Sequence, residues 1–198
     1  MAAKQNRMQS CIGRRILLGC IFVLFLPQAA MSFDDEPQEG ACYNYRTWDF
    51  TVKDNKLTLN VSESITIFNE RGEEHNEIAL VEGSFFKLKS VRAVVKDGNG
   101  NVIFERKKGD FTKSCGYGHA SLYADNCFYD VTMEAASYPQ TIEYEYGMEF
   151  ESLHLWPSVR LQSSIPARQL DLKVTLPPAF PFRYNCYGMT VEPPTVDS

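Results

Sequence analysis

No segment of this chain carries a helical period of useful length, so a helical bundle is excluded as its framework. No apolar run reaches the roughly 20 residues that a membrane-spanning helix needs; the longest, Ile16 to Leu26, has 11. Histidines number only three, and no cysteine spacing matches a zinc pattern of paired cysteines. The only basic run is Arg106-Lys107-Lys108, which a solvated hairpin end accounts for. Nucleic acid and anionic membrane surfaces both call for clustered Lys and Arg, so neither is expected as a partner. There is no internal repeat and no visible domain boundary.

What is present is period-two alternation. In TIEYEYGMEFE, residues 141–151, Ile142, Tyr144, Tyr146, Met148 and Phe150 fall on every second position. Glu143, Glu145, Glu149 and Glu151 fall between them with Gly147. Side chains of a strand point alternately to opposite faces, so this reads as a strand with one apolar side and one acidic side. A solvated acidic face that deters edge pairing explains those glutamates better than a pair of catalytic acids.

Similar alternation recurs along the chain. Leu57, Leu59, Val61, Ile65 and Ile67 share one face of a second strand. Shorter runs centre on Trp48 to Val52, Ile78 and Leu80, Val102 to Phe104, Tyr129 to Met133, and Leu170 to Leu176. Phe86 and Leu88 alternate in one phase and Val91, Ala93 and Val95 in the other, which signals a β-bulge or two strands meeting. Asp54-Asn55 and Asp97-Gly98-Asn99-Gly100 are turn signals. The segment from Lys107 to Asn126 has no apolar period and reads as a long surface loop. About nine short strands separated by turns predict an all-β fold, an antiparallel β-sandwich.

The amino terminus reads as an export signal. Lys4, Arg7, Arg14 and Arg15 precede the apolar run, and Pro27 with the small residues Ala29, Ala30 and Ser32 follows it. Residues 1–32 are therefore expected to be a signal peptide, cleaved before Phe33. A lipidated signal at Cys20 is the alternative, but the apolar run continues past that cysteine. Residues 33–46 read as a flexible leader, 47–187 as the β-sandwich, and 188–198 as a disordered tail or a truncated linker. The mature chain would have 166 of the 198 residues, and no stable membrane span would remain after cleavage. Its 16 Lys+Arg against 25 Asp+Glu give a net charge of −9. The expected location is the periplasm, the cell surface or the extracellular space.

Export leaves Cys42, Cys115, Cys127 and Cys186, and an oxidising compartment favours pairing. Sequence alone does not choose among the three pairings. A short loop favours Cys115–Cys127, which would leave Cys42–Cys186 to tie the start of the domain to its end. Four buried thiols are the alternative. Cys115, His119 and Cys127 would need a fourth ligand to hold a metal. Cys115, His154 and Asp171 follow the Cys, His, Asp order of thiol acyl-transfer enzymes, but Gly116-Tyr117-Gly118 does not start the helix that usually activates such a thiolate. No catalytic residue, cofactor or metal is expected.

The ordered segments SITIFNERGEEHNEIAL, FKLKSVRAVVKDGNGNVI, KGDFTKS, SLYADN, SYPQTIEYEYGMEF, LWPSV and LDLKVTLP carry a family resemblance. Together they resemble the uncharacterised all-β domain found N-terminal to transglutaminase-like cores in large exported bacterial proteins. The resemblance spans roughly residues 48 to 185. It implies export, a β-sandwich, and association with a papain-like Cys-His-Asp core. The nucleophile, base and orienting acid of that core have no positions in this chain. The expected function is thus a non-catalytic accessory domain that positions or docks on a transglutaminase-like domain or protein. The alternative is a stand-alone surface module for glycan or peptide.

Overall fold

A computed structural model describes residues 39–117, 125–134 and 137–187. The chain is all-β. Nine strands occur among the described residues: β1 (Ala41–Lys53), β2 (Lys56–Ile67), β3 (Glu77–Glu82), β4 (Phe86–Lys96), β5 (Val102–Lys107), β6 (Thr112–Tyr117), β7 (Asp125–Thr132), β8 (Gln140–Phe150) and β9 (Leu170–Thr175). They form a six-stranded sheet in the order β5-β4-β8-β2-β1-β9 and a three-stranded sheet in the order β3-β7-β6. Short 3-10 turns at Glu70–His75, Lys108–Asp110 and Leu153–Leu155 are the only helical elements among the described residues.

The alternating segment is β8, and it lies inside the large sheet. It pairs antiparallel with β2 from Leu57↔Phe150 to Ile67↔Gln140, and with β4 from Phe86↔Phe150 to Lys96↔Thr141. The change of phase in β4 is a bulge: the register shifts between Leu88 and Ser90, which places Ser90 opposite Gly147. A Cβ at Gly147 would come within 2.9 Å of the Ser90 hydroxyl, so the glycine makes room where the bulge crowds the sheet. The β1–β2 hairpin closes through Asp54 and Asn55, both at positive φ (50° and 60°), residue types that accept such a turn.

The apolar face of the large sheet is covered in two ways. One half meets the small sheet: Ile65, Leu88, Val91, Val95 and Ile142 pack with Ile78, Tyr129 and Met133. The other half is covered by irregular chain. Trp48, Phe50, Leu57, Leu59 and Phe150 pack there with Leu155, Trp156, Phe180 and Phe182. Trp156 lies 5.3 Å from Phe50 and 5.3 Å from Phe182, ring centre to ring centre. The sandwich is therefore complete over one half only, and the polypeptide after β8 roofs the rest.

Three expectations need correction. The sheet is not wholly antiparallel, because β9 lies parallel to β1, with Arg46 opposite Leu170. The leader ends earlier than its polarity suggests: residues 41–46 belong to β1, where Ala41 and Cys42 are buried. The apparent loop from Lys107 to Asn126 contains β6. Its residues lack an apolar stripe because β6 is the edge of the small sheet and is mostly exposed, held by its ladder to β7. Residues 1–32 and 188–198, expected as signal peptide and tail, lie outside the described residues.

The two faces of β8 should differ sharply in their tolerance of substitution. Ile142 is fully buried, and Ile142→Ala is expected to lower unfolding free energy by about 3 kcal/mol. Glu145 is exposed, and Glu145→Ala should stay within about 0.5 kcal/mol of wild type. Urea denaturation of the two variants checks both; equal losses would mean the faces are wrongly assigned.

Candidate functional site

The apolar stripe of β2 is interrupted by Glu63, which falls in phase with Leu57, Leu59, Val61, Ile65 and Ile67. The fold therefore turns a carboxylate inward, and Glu63 is 4% exposed. Its ladder neighbours are Arg46 of β1 and Tyr144 of β8. Arg46 Nη2 donates to Glu63 Oε1 at 3.0 Å, and the Tyr144 hydroxyl donates to Oε2 in a short hydrogen bond. The guanidinium also lies over two rings, 4.5 Å from the centre of Tyr43 and 4.8 Å from that of Trp48. Tyr146 stacks on Tyr144 with ring centres 6.5 Å apart. This charged, aromatic seam divides the two apolar clusters. The Nε of Arg46 is buried with no hydrogen-bond partner among the described residues.

Burial pushes the Tyr144 hydroxyl well above its ordinary pKa, and the negative charge of Glu63 adds to the effect. Burial, again with Glu63, raises Tyr146 to about 12 against the opposing pull of Arg46. Tyr43 is raised for the same reasons. These phenols stay protonated at neutral pH, and both carboxylate oxygens of Glu63 are engaged. The seam therefore pins β1, β2 and β8 in register and offers no activated nucleophile.

On the opposite, polar face a cleft of about 500 Å³ opens beside the β4–β5 turn. Its walls are Thr66, Thr141, Lys96, Glu143, residues 97–100, Pro139 and Arg168. The Thr66 and Thr141 hydroxyls lie 2.9 Å apart. Asn44, at the β1 bulge, donates to Thr66 Oγ1 at 2.9 Å and Ser64 Oγ at 3.1 Å. Lys96 pairs with Glu143 at 2.6 Å. Asp97 shapes the turn by accepting from the backbone N–H groups of Asn99 and Asn101 at 2.9 and 2.8 Å. Arg168 is exposed, and its side chain makes no ion pair among the described residues. Hydroxyls, a closed ion pair and an open guanidinium suit a hydroxylated or carboxylate-bearing ligand rather than an apolar one.

The residues singled out by sequence are dispersed. Cys115 and Cys127 face each other across the β6–β7 ladder and form a disulfide, S–S 2.04 Å. With its sulfur so engaged, Cys115 is not a thiolate. His154 sits in the 3-10 turn after β8, and Asp171 on β9 accepts from Gln169 Nε2 at 2.5 Å. These three residues belong to separate elements. His119 lies outside the described residues. No group of three or more His, Cys, Asp and Glu is placed to hold a metal among the described residues.

The expected Cys42–Cys186 bridge is absent. Cys42 is buried at the start of β1, where its Sγ is 3.5 Å from the Tyr43 carbonyl, whereas Cys186 is exposed. The chain that carries Cys186 is drawn by Phe180 and Phe182 to the cluster around Phe50. That cluster lies toward the other end of β1, roughly 25 Å along the strand from Cys42. Of the strand-face acids, Glu143 pairs with Lys96, and Glu149 lies near Lys56 and Lys89, at 3.8 and 3.7 Å. In the sequence Glu63 is marked only as an acid in phase with five aliphatics, and Arg46 carries no local signal. The cleft had no such signal, because its walls come from β2, β4, β8 and the chain before β9.

The family DUF3857, described as a domain of unknown function with solved structure, matches residues 53–197. No curated protein matches the chain. Among solved structures, the chain is similar to a "putative protease" from Parabacteroides distasonis ATCC 8503, determined by crystallography at 2.00 Å. The TM-score is 0.62 at 17% sequence identity, over 72% of this chain. The match spans 30% of that longer chain. At this identity the likeness is one of fold.

Two outcomes test the seam. Glu63→Ala strands Arg46 without a counter-charge and should cost about 3–5 kcal/mol, whereas Arg46→Met with Glu63→Leu should recover most of it; urea midpoints decide. A phenol with a raised folded pKa keeps its proton while the unfolded chain, near its ordinary value of 10.0, loses it. Stability should therefore fall as pH climbs from about 10 toward 12. Tyr146→Phe should make that fall shallower between about pH 10 and about pH 12, and an unchanged slope would show that this phenol does not contribute.

Proposed function

This chain belongs to the DUF3857 family, and from that premise we propose that it is a non-catalytic, exported accessory module. In this reading it positions a transglutaminase-like hydrolase core whose Cys-His-Asp residues lie outside this chain. One observation carries the proposal. A similar fold makes up 30% of a longer chain described as a "putative protease", which leaves most of that chain for other parts. The segments from Ser64 onward that resemble domains preceding such cores support it. The Cys115–Cys127 disulfide is of the kind that oxidising compartments sustain. No helix among the described residues is long and apolar enough to cross a membrane.

The module's physical contribution would be rigidity. Positioning groups are most useful when fixed to sheets whose own side chains are locked by packing. A second reading, a stand-alone module for a glycan or peptide, is favoured by the open Arg168 guanidinium beside the hydroxyl floor of the cleft.

Purified chain should show no thiol-dependent peptidase or acyl-transfer activity. Chemical cross-linking in its own host, followed by mass spectrometry, should identify a protein or segment with a Cys-His-Asp core. Activity that disappears in Cys115→Ala, or a dominant cross-linked partner without such a core, would overturn the assignment.

A further inference from the structure

β5 is the outermost strand of the large sheet. It pairs with β4 along one edge, and no strand lies against its other edge among the described residues. Edge strands present a row of unpaired N–H and C=O groups and are normally blunted by charge, by proline or by brevity. The first half of β5 has no such protection. Val102 is 59% exposed and Ile103 48%. The opposite edge strand, β9, carries no large exposed apolar side chain among the described residues.

The second half of β5 is cationic. Glu105, its only acid, is already held by Arg92, whose Nε and Nη2 donate to Oε1 and Oε2, each at 3.1 Å. Arg106 lies over the Phe104 ring at 4.9 Å. The Lys107 ammonium approaches the same occupied carboxylate at 3.6 Å, and its backbone N–H donates to Asp110 Oδ2 at 2.7 Å, which caps the edge at that end and leaves residues 102–106 open. Read along its free edge, β5 runs from two aliphatic residues to two cations.

We propose that this edge accepts an extended segment of another polypeptide as a seventh, antiparallel strand. Main-chain hydrogen bonds would supply affinity, and alternate side chains the selection. Antiparallel pairing reverses the order, so the incoming segment carries carboxylates first, opposite Lys107 and Arg106, and aliphatics afterwards, opposite Ile103 and Val102. A second copy of β5 fits poorly. Centred pairing would set Val102 against Lys107, and the register that joins Glu105 to Arg106 leaves Val102 beyond the partner strand. The inference concerns a surface and does not depend on the accessory role.

The test uses the purified chain and a fluorescein-labelled, amidated peptide, Glu-Glu-Thr-Val-Ile-Val, followed by fluorescence anisotropy and amide hydrogen exchange. Saturable binding is expected, with slowed exchange confined to residues 102–107. Ile103→Lys should weaken binding by at least about tenfold without changing the thermal midpoint, since the residue is half exposed. Arg106→Glu should weaken it similarly, and the peptide Glu-Lys-Thr-Val-Ile-Val, which reverses only the charge opposite residue 106, should recover binding to that variant. Three results would overturn the proposal. They are protection elsewhere than β5, affinity untouched by Ile103→Lys, or a dimer of the unliganded chain that Ile103→Lys dissociates, which would give the edge to a second copy.

Discussion

β8 hydrogen-bonds along both of its edges, and every other layer of the molecule follows from that. A strand inside a sheet cannot slip by one residue without turning its whole apolar set outward. Ile142 to Phe150 face one way and the glutamates the other, so β2 and β4 must present their own aliphatics on the same side. One face of the sheet thereby becomes the floor of the core, and the other becomes a solvated surface with Lys96, Lys56 and Lys89 set against Glu143 and Glu149.

That floor is longer than the small sheet that covers it. The uncovered half is roofed by the chain after β8, through Trp156, Phe180 and Phe182. Between the two roofs lies the Arg46–Glu63–Tyr144 seam. Taking two charges from water is expensive, and mutual attraction repays it only with good geometry and further hydrogen bonds. Here the carboxylate gains a phenol as well as the guanidinium, and the guanidinium gains two aromatic faces. Such a network favours one register over its alternatives.

The described residues bring no nucleophile, base and orienting acid into hydrogen-bond contact. They form a polar cleft at one end of the solvated face and, adjoining it through the Asp97–Asn101 turn, an edge strand whose side chains are graded from aliphatic to cationic. Both features arise where the sheet stops, and it is at sheet ends and edges that backbone groups are left for another chain to use.

The sequence by itself determined the strands of strong alternation, the change of phase within β4, the two tight turns and the inward face of β8. Each depends on residues within a few positions of one another, so period and turn chemistry reveal them. It also favoured Cys115–Cys127, whose sulfurs are joined across one hairpin. Tertiary structure alone decided that β6 is a strand, that β9 returns parallel to β1, that Cys42 and Cys186 stay apart, and that Glu63 finds Arg46. Polar edge strands, crossovers and buried ion pairs draw their stability from partners far away in the chain, and local pattern carries no record of those partners.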